Sequence, residues 1–450
     1  MDRAALDGSG VPLRVVLVCG LAQDAVDAAA LAVIAERRGN ALAYRVVIEG
    51  ESPVIMRTHL RDGVCVSQDP MATTHGCIAC AVRDDVLATL SGWADDGDDS
   101  LVTVVLPAGA TPSCIVDPVD LTFVARTGGF GFPDEEDPHA QITCVVAAVD
   151  GTRLVAQVES DQETGESGIA AGAFGTRPLA ELVLETLRCA DLVVLDGLGL
   201  SDDPATARTL ELVGHVAPHA RAVRAGLTSR IADVSAEAIH DPTRTSLRHE
   251  PVATPPAGGR GRFGVATEAW ATRRPLHPVR LMDSLERLAT EAVALEGAVW
   301  LANRPHEVVR MAVAGGAASI TTVDGWLAEA PASEWASATP WRRVQAELAW
   351  DPYYGDRECR VVALCIGDGG ELDAVLETLD RCALTDEELA AGPESWAELA
   401  DPFAPWLGDP WTAQPEVAAD PTDCDGVHDH ERVAVQLESG VVVDAEEEGR

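Results

Sequence analysis

Residues 14–39 read RVVLVCGLAQDAVDAAALAVIAERRG. RVVLVCG (14–20) is a short apolar run ending in Gly, the pattern of a strand buried on both faces of a parallel sheet. DAVDAAALAVIAERRG (24–39) follows with apolar residues at helical spacing and a Gly stop. Strand followed directly by helix is a βα opening. Working outward, LVTVVLPAGA (101–110), QITCVVAAVDG (141–151) and ADLVVLDGL (190–198) repeat the apolar strand pattern. RDDVLATLSGWA (83–94) and RPLAELVLETLRCA (177–190) lie between them with helical spacing. Strands alternating with helices imply a doubly wound α/β domain over 11–225. Its right-handed crossovers place a ligand crevice at the carboxyl ends of the strands.

Residues 226–261 change character. HDPTRTSLRHEPVATPPAGGRGR carries Pro, Thr, Gly and Arg without an apolar period, which reads as a linker or flexible loop. A second unit, 262–407, follows. RFGVATEAW (262–270), GAVWLAN (297–303), AASITTVDGWLAE (317–329) and CRVVALCIG (359–367) read as strands. HPVRLMDSLERLATEAV (277–293) and ELDAVLETLDRCAL (371–384) read as amphipathic helices. This is an α+β unit with mixed or antiparallel strands. Residues 408–450 are rich in Asp, Pro and Trp and then acidic, and read as a mostly disordered tail.

The chain of 450 residues is long enough for two or three domains with real cores, and its 47% hydrophobic content is that of a globular protein. Asp and Glu number 73 against 33 Lys and Arg, a formal net charge of −40. Such a surface repels a phosphate backbone, so nucleic-acid binding is not expected. The acidity suits solubility, and it also suits basic protein partners. All 33 basic residues are Arg, which excludes any mechanism that needs a lysine ammonium. No signal peptide is read at Met1–Gly10, and no apolar run reaches the roughly 18 residues a membrane span needs. Eleven Cys, an odd and sparse set, read as mostly reduced thiols in the cytoplasm.

Five motifs occur in order: HGCIACAVRDDVL (75–87), RRPLHPVRL (273–281), GAVWLANRP (297–305), YYGDREC (353–359) and LTDEEL…DPFAPW (384–406). Together they resemble the CobW-type family of GTPases and metal chaperones, and most closely its actinobacterial branch that recruits a ribosome hibernation factor. The resemblance covers roughly residues 12–408. It implies a P-loop-NTPase-like domain followed by a CobW-type C-terminal α+β domain. It further implies zinc as cargo or signal, with a ribosome hibernation factor and the small ribosomal subunit as partners.

The departures from the family pattern are as informative. After its first strand the family has G-x-x-G-x-G-K-[ST], whose backbone amides and lysine cradle phosphate while the hydroxyl holds Mg²⁺. This chain has CGLAQDAVDAAAL (19–31), with one Gly, no Lys, no Ser or Thr, and Asp24 and Asp27 near the helix start. The family's acidic V-E-x-x-G stretch is LPAGATP (106–112), and its guanine-reading N-K-x-D is LDGLGL (195–200), with Asp196 in place of the Asn. Phosphoryl transfer needs the lysine and the metal to offset developing charge. The expectation is a pseudo-GTPase that does not hold GTP. The alternative is a nucleotide site built on arginine, with Arg14 or Arg37 as the candidates.

The family's G-C-x-C-C is reduced here to Cys77 and Cys80, with Ala79 in the middle position. Two thiolates at this spacing chelate one tetrahedral Zn²⁺ but do not complete a site. His75 and Cys65 are the nearest further candidates in sequence, and His59 is a more distant one. Three readings stay open: a transient or sensing zinc site, a redox dithiol, or two structural thiols in a helix-start turn. A helix starting near Arg83 would favour the Cys80 thiolate.

Cys424, His428 and His430 form a weaker metal candidate in the tail. His277 reads as a packed turn residue, and Asp356 with Arg357 as a structural ion pair or turn. Arg273, Arg274 and Arg280 are expected to form a local basic patch. The tryptophans of the second half supply core, with one or two left as exposed anchors. No hydrolase or dinucleotide fingerprint is present.

Overall fold

The computed structural model describes residues 12–36, 39–49, 52–71, 78–95, 101–128, 140–167, 177–199, 203–225, 228–411 and 434–435. The chain divides into two units: residues 1–250 with 260–265, and residues 251–259 with 266–450.

The first unit runs β1 (Leu13–Gly20), α1 (Gln23–Glu36), β2 (Asn40–Glu49), β3 (Ser52–Arg61), β4 (Val64–Met71), α2 (Ile78–Asp95) and β5 (Leu101–Val105). It continues α3 (Ser113–Gly128), β6 (Ala140–Asp150), α4 (Leu154–Val158), α5 (Leu179–Cys189), β7 (Leu192–Asp196), α6 (Pro204–Val216), β8 (Arg221–Arg224), α7 (Thr228–Glu237) and α8 (Thr243–Arg248). The strands form one sheet in the order β4-β3-β2-β5-β1-β6-β7-β8. From β2 to β8 all neighbours are parallel. The order reverses at β1, which places the crevice at the carboxyl ends of β1, β5, β6 and β7. Val15 to Cys19 of β1 are all fully buried, as a strand covered on both faces must be. α1 buries Ala25, Val26, Ala29, Ala30, Ala32 and Val33, so small side chains let it lie close against the sheet.

β3 and β4 extend the sheet by antiparallel pairing, an extension the apolar runs did not disclose. Their turn is Asp62-Gly63, both at positive φ (51° and 80°). Such a turn matches the twist of the strands it joins.

The stretch 226–261 is not a bare linker. It carries α7 and α8, and both belong to the first unit. Its polarity has a structural cause. Arg244 pairs with Asp191, Arg248 with Asp117, and His249 with Asp117. α8 is held to α3 and the start of β7 by charge, which leaves no periodic trace, whereas α7 buries Ile231 and Ala232, Ile231 in one core cluster with residues of α1.

The second unit holds β9 (Gly259–Arg260), β10 (Val265–Thr272), α9 (Pro278–Glu291), β11 (Ala294–Val299), β12 (Glu307–Ala314) and β13 (Ala317–Gly325). Then come α10 (Ala332–Ser337), α11 (Pro340–Ala349), β14 (Cys359–Ile366), α12 (Gly370–Cys382), α13 (Asp386–Trp396), α14 (Ala404–Leu407) and β15 (Ala434–Val435). The sheet order is β15-β13-β12-β11-β14-β10-β9. The pairs β11–β12, β11–β14, β12–β13 and β13–β15 are antiparallel. The strand expected at 297–303 lies instead at Ala294–Val299. α9 buries Leu281, Leu285, Leu288 and Ala289, one face at helical spacing. Each such leucine contributes about 1.5–3 kcal/mol of burial, so a charge at Leu285 would break the packing.

The tail expected to be disordered from residue 408 is anchored at its start. Arg304 donates to the Gly408 carbonyl, and the Trp411 amide donates to Glu307 at 2.8 Å. Apart from 408–411 and 434–435, the tail lies outside the described residues, as do Cys424, His428 and His430.

Candidate functional site

At the crevice, only Leu21 and Ala22 separate β1 from α1. A phosphate loop needs a wide turn with backbone amides pointing inward. This turn is short, and its carbonyls are taken up by α1 and by the loop after β5. The Gly109 amide donates to the Gly20 carbonyl at 2.7 Å, and the Val26 amide to that of Ala22 at 3.0 Å. A Cβ on Gly20 would lie 2.0 Å from the Ala148 carbonyl oxygen, so strand and turn are in direct backbone contact. Gln23 Nε2 donates to Asp27 at 2.9 Å, and Asp27 forms an ion pair with Arg45 of β2. Asp24 does stand in the first turn of α1, as expected of a residue that favours a helix start. Asp27 sits a turn further in and is partnered by Arg45 rather than by the helix end.

The other edge of the crevice is also self-satisfied. Asp150 and Asp196 are register partners at the ends of β6 and β7. Asp150 accepts from the Thr152 amide at 2.9 Å and from its hydroxyl at 2.6 Å. A Cβ on Gly151 would lie 2.6 Å from Leu198 Cγ, so the Leu198 side chain covers that position. Carboxylates and an apolar side chain stand where an anionic ligand would need cations and open amides. Arg14, the arginine alternative, is the second residue of β1 and stands at the amino end of the strand, away from the crevice. Arg37 lies outside the described residues.

The thiol candidates fall in different places. α2 starts at Ile78 rather than near Arg83, so Cys80 is in its first turn, half-buried. Asp85 holds the helix to the sheet. It accepts from Tyr44 at 2.6 Å and from Arg57 at 2.7 Å, while Arg57 reaches Thr89 at 3.1 Å. His75 and Cys77 lie outside the described residues. Cys65 is on β4, exposed, and its backbone pairs with Leu60. The neighbouring His59 packs on Trp93, with ring centroids 5.2 Å apart. Trp93 and Cys80 are thirteen residues apart on α2, which is about 20 Å along the axis. The structure therefore brings neither Cys65 nor His59 to Cys80. His59 also keeps a pKa below its ordinary value, through burial and the nearby Arg57 and Arg61. Among the described residues, no group of three or more His, Cys, Asp or Glu is gathered for a metal ion.

One polar cluster had no signal in the sequence. His240 is buried between two carboxylates, with Nε2 2.8 Å from Asp120 and Nδ1 2.8 Å from Asp191. Asp120 also accepts from Thr245 at 2.6 Å, and Asp191 from the Val145 amide at 2.8 Å. Burial pushes the imidazole pKa down, but the hydrogen bonds to Asp120 and Asp191 outweigh it and raise the value to about 9. Its carboxylate partners, at residues 120 and 191, are too far from it in sequence for any spacing rule. Asp191 precedes β7, so the cluster lies at the amino end of that strand and cannot serve the crevice. It is a fastening for the segment carrying α8.

In the second unit, His277 caps α9, its Nδ1 accepting from the Arg280 amide at 3.4 Å. Two of the three arginines of the expected basic patch are neutralised by carboxylates. Arg274 pairs with Asp386, Arg280 pairs with Glu388, and Arg273 donates to the Arg357 carbonyl. Asp356 and Arg357 do not pair with each other. Asp356 takes Arg342 at 2.9 Å and the amides of Leu327 and Ala328. Arg357 pairs with Glu329 at 2.9 Å and lies over Trp300. Trp270, Trp300, Trp326 and Trp396 are core, while Trp341 and Trp350 are exposed.

Residues 265–383 match the family described as the cobalamin synthesis protein cobW C-terminal domain. Over 368 residues, 80% of this chain and 85% of the relative, the sequence is 30% identical to a zinc chaperone of Mycobacterium tuberculosis. Over 345 residues, 73% of this chain and 69% of the relative, it is 22% identical to zinc-regulated GTPase metalloprotein activator 1 of Dictyostelium discoideum. Among solved structures, the zinc-bound YjiA GTPase from E. coli aligns at 13% identity, covering 83% of this chain and 99% of that one, with a TM-score of 0.31. Among the described residues, no helix is long and apolar enough to cross a membrane.

Proposed function

We propose, from the premise that this chain belongs to the CobW-type family, that it is a zinc-handling metal chaperone whose crevice no longer works with GTP. The observation that carries the zinc reading is the 30% identity to a zinc chaperone across most of both chains. Cys80, in the first turn of α2, and Cys77, three residues before it in sequence, are the thiols that would take the metal. A helix N-terminus favours thiolate over thiol there, and the ion pair of Arg57 with Asp85 ties the helix to β3 two turns further on. Two thiolates hold zinc without closing its tetrahedron, which leaves positions for His75 or for a client's ligands.

The short two-residue turn after β1, the Asp27–Arg45 pair and the absence of lysine support a chaperone that does not use nucleotide to drive handover. A zinc-responsive adaptor for a ribosome hibernation factor would use the same thiols. The named zinc relatives favour the chaperone.

The test is zinc competition against a chromogenic chelator with the reduced full chain, alongside Cys77→Ser, Cys80→Ser and Cys65→Ser, with labelled GTP in parallel. Tight zinc lost in the first two variants and kept in Cys65→Ser is expected, with no GTP retained. Zinc retained in both Cys77→Ser and Cys80→Ser would overturn the site, and saturable GTP binding would overturn the account of the crevice.

A further inference from the structure

In the second unit, α11 carries its amphipathic pattern inside out. Its buried positions are Arg342 and Ala346. Arg342 is turned inward onto Asp356 at 2.9 Å and the Gly325 carbonyl at 3.2 Å. The outer face carries Trp341, Val344 and Leu348, exposed by 45%, 44% and 83%. These are positions i, i+3 and i+7, one stripe on a helix. Trp350 and Tyr353, exposed by 45% and 77%, follow directly after the helix in the chain. Scattered exposed apolar residues need no explanation, but five within thirteen residues, three of them aromatic, mark an interaction surface.

The two aromatics that follow the helix are held in place before any partner arrives. Trp350 packs on Trp335 at 5.8 Å, and Trp335 Nε1 donates to the Leu327 carbonyl at 3.0 Å. Tyr353 stands edge-on to Tyr354 at 4.8 Å, which in turn packs on the core Trp300 at 5.3 Å. The turn presenting Tyr353 is closed by two backbone hydrogen bonds of 2.8 Å between Asp351 and Gly355. Gly355 has φ +67°, and a Cβ there would lie 2.4 Å from Ala328 Cβ, so this turn requires glycine. Rigid anchors lose little side-chain entropy on binding, which is the condition for a strong contact.

We propose that this face docks a basic polypeptide segment bearing apolar anchors. The charge around the stripe selects that occupant. Along this stretch Glu334, Glu347 and Asp351 stand against Arg343, one helical turn from Glu347, while Arg342 is buried on Asp356. A second copy of the chain would bring two like-charged rims together on molecules each carrying −40. The acidic stretch 412–450 of the same chain meets the same repulsion. This surface is independent of the zinc and nucleotide readings.

The test uses the full chain and three synthetic peptides: an amphipathic helix of Leu and Lys, its Leu and Glu counterpart, and an oligolysine of equal charge. Binding is read by fluorescence anisotropy, with an arm at about 0.5 M salt to screen exposed charge. The Leu–Lys peptide binds, Leu348→Ser and Trp341→Ala each weaken it by about tenfold or more, and the Leu–Glu peptide does not bind. Leu348 is so exposed that Leu348→Ser leaves thermal unfolding unchanged. Equal affinity of wild type and both variants would show binding by diffuse charge and overturn the proposal. Concentration-dependent dimerisation lost in Leu348→Ser would overturn it in favour of a self-interface.

Discussion

Raising the pH should loosen the first unit through His240, by an amount the structure sets. The side chain is 3% exposed and stands between Asp120 and Asp191. Its pKa rises from 6.5 to about 9 on folding. A group whose pKa is raised in the folded state contributes stability in full below its unfolded pKa, and the contribution is lost as pH rises through the folded value. The window here is pH 6.5 to about 9, and the free energy lost across it is about 3 kcal/mol. Asp191 acts with the opposite sign. Burial opposes its ionisation, but His240 and Arg244 hold its pKa below the ordinary value, so its contribution is lost on acidification. The assay is urea unfolding at a series of pH values for wild type and His240→Gln. The gap between the two should be widest near pH 6 and narrow by about 3 kcal/mol by pH 10. A gap that stays constant from pH 6 to 10 would mean that His240 is not held as an imidazolium and would refute the reasoning.

Other substitutions probe the two cores. Gly20→Ala places a methyl 2.0 Å from the Ala148 carbonyl and should cost about 1–3 kcal/mol by forcing β1 and β6 apart, read as a lower Tm of the first unit. Arg304→Ala leaves Glu307, which is fully buried, without its ion pair; a loss of about 3–5 kcal/mol is expected in urea unfolding of the second unit. Arg304→Ala unfolding at the wild-type urea concentration would show that Glu307 is satisfied by Thr322 and the Trp411 amide alone.

What the sequence disclosed and what it hid divide along physical lines. β1, β6, β7 and β14 were legible because most of their residues are buried, and burial on both faces writes a nearly continuous apolar run. α9 was legible because one face is leucine at helical spacing. β3 and β4 were not, since their outward residues are polar and mixed, although Asp62-Gly63 between them is a hairpin signal that could have found them. α8 was hidden because it docks through Arg244, Arg248 and their aspartates, which leave no periodic trace. The inverted face of α11 reads from sequence as an ordinary amphipathic helix. Only the inward turn of Arg342 onto Asp356 shows which side faces out.

The altered crevice has a consequence for how metal would move. The sheet does not need a phosphate loop to stand, because Val15 to Cys19 are buried by α1 and the neighbouring strands rather than by the turn. That independence lets the turn shrink to Leu21 and Ala22 while the fold persists, and function resides in sites rather than in folds. A nucleotide-driven chaperone spends hydrolysis to change the affinity of its metal site. In the proposed role that source is absent, so zinc can leave only when a client's ligands compete for it. Two thiolates suit this, since an unfilled tetrahedron lets an incoming ligand bind before Cys77 and Cys80 let go. Handover should therefore run at a rate that rises with client concentration and does not respond to GTP.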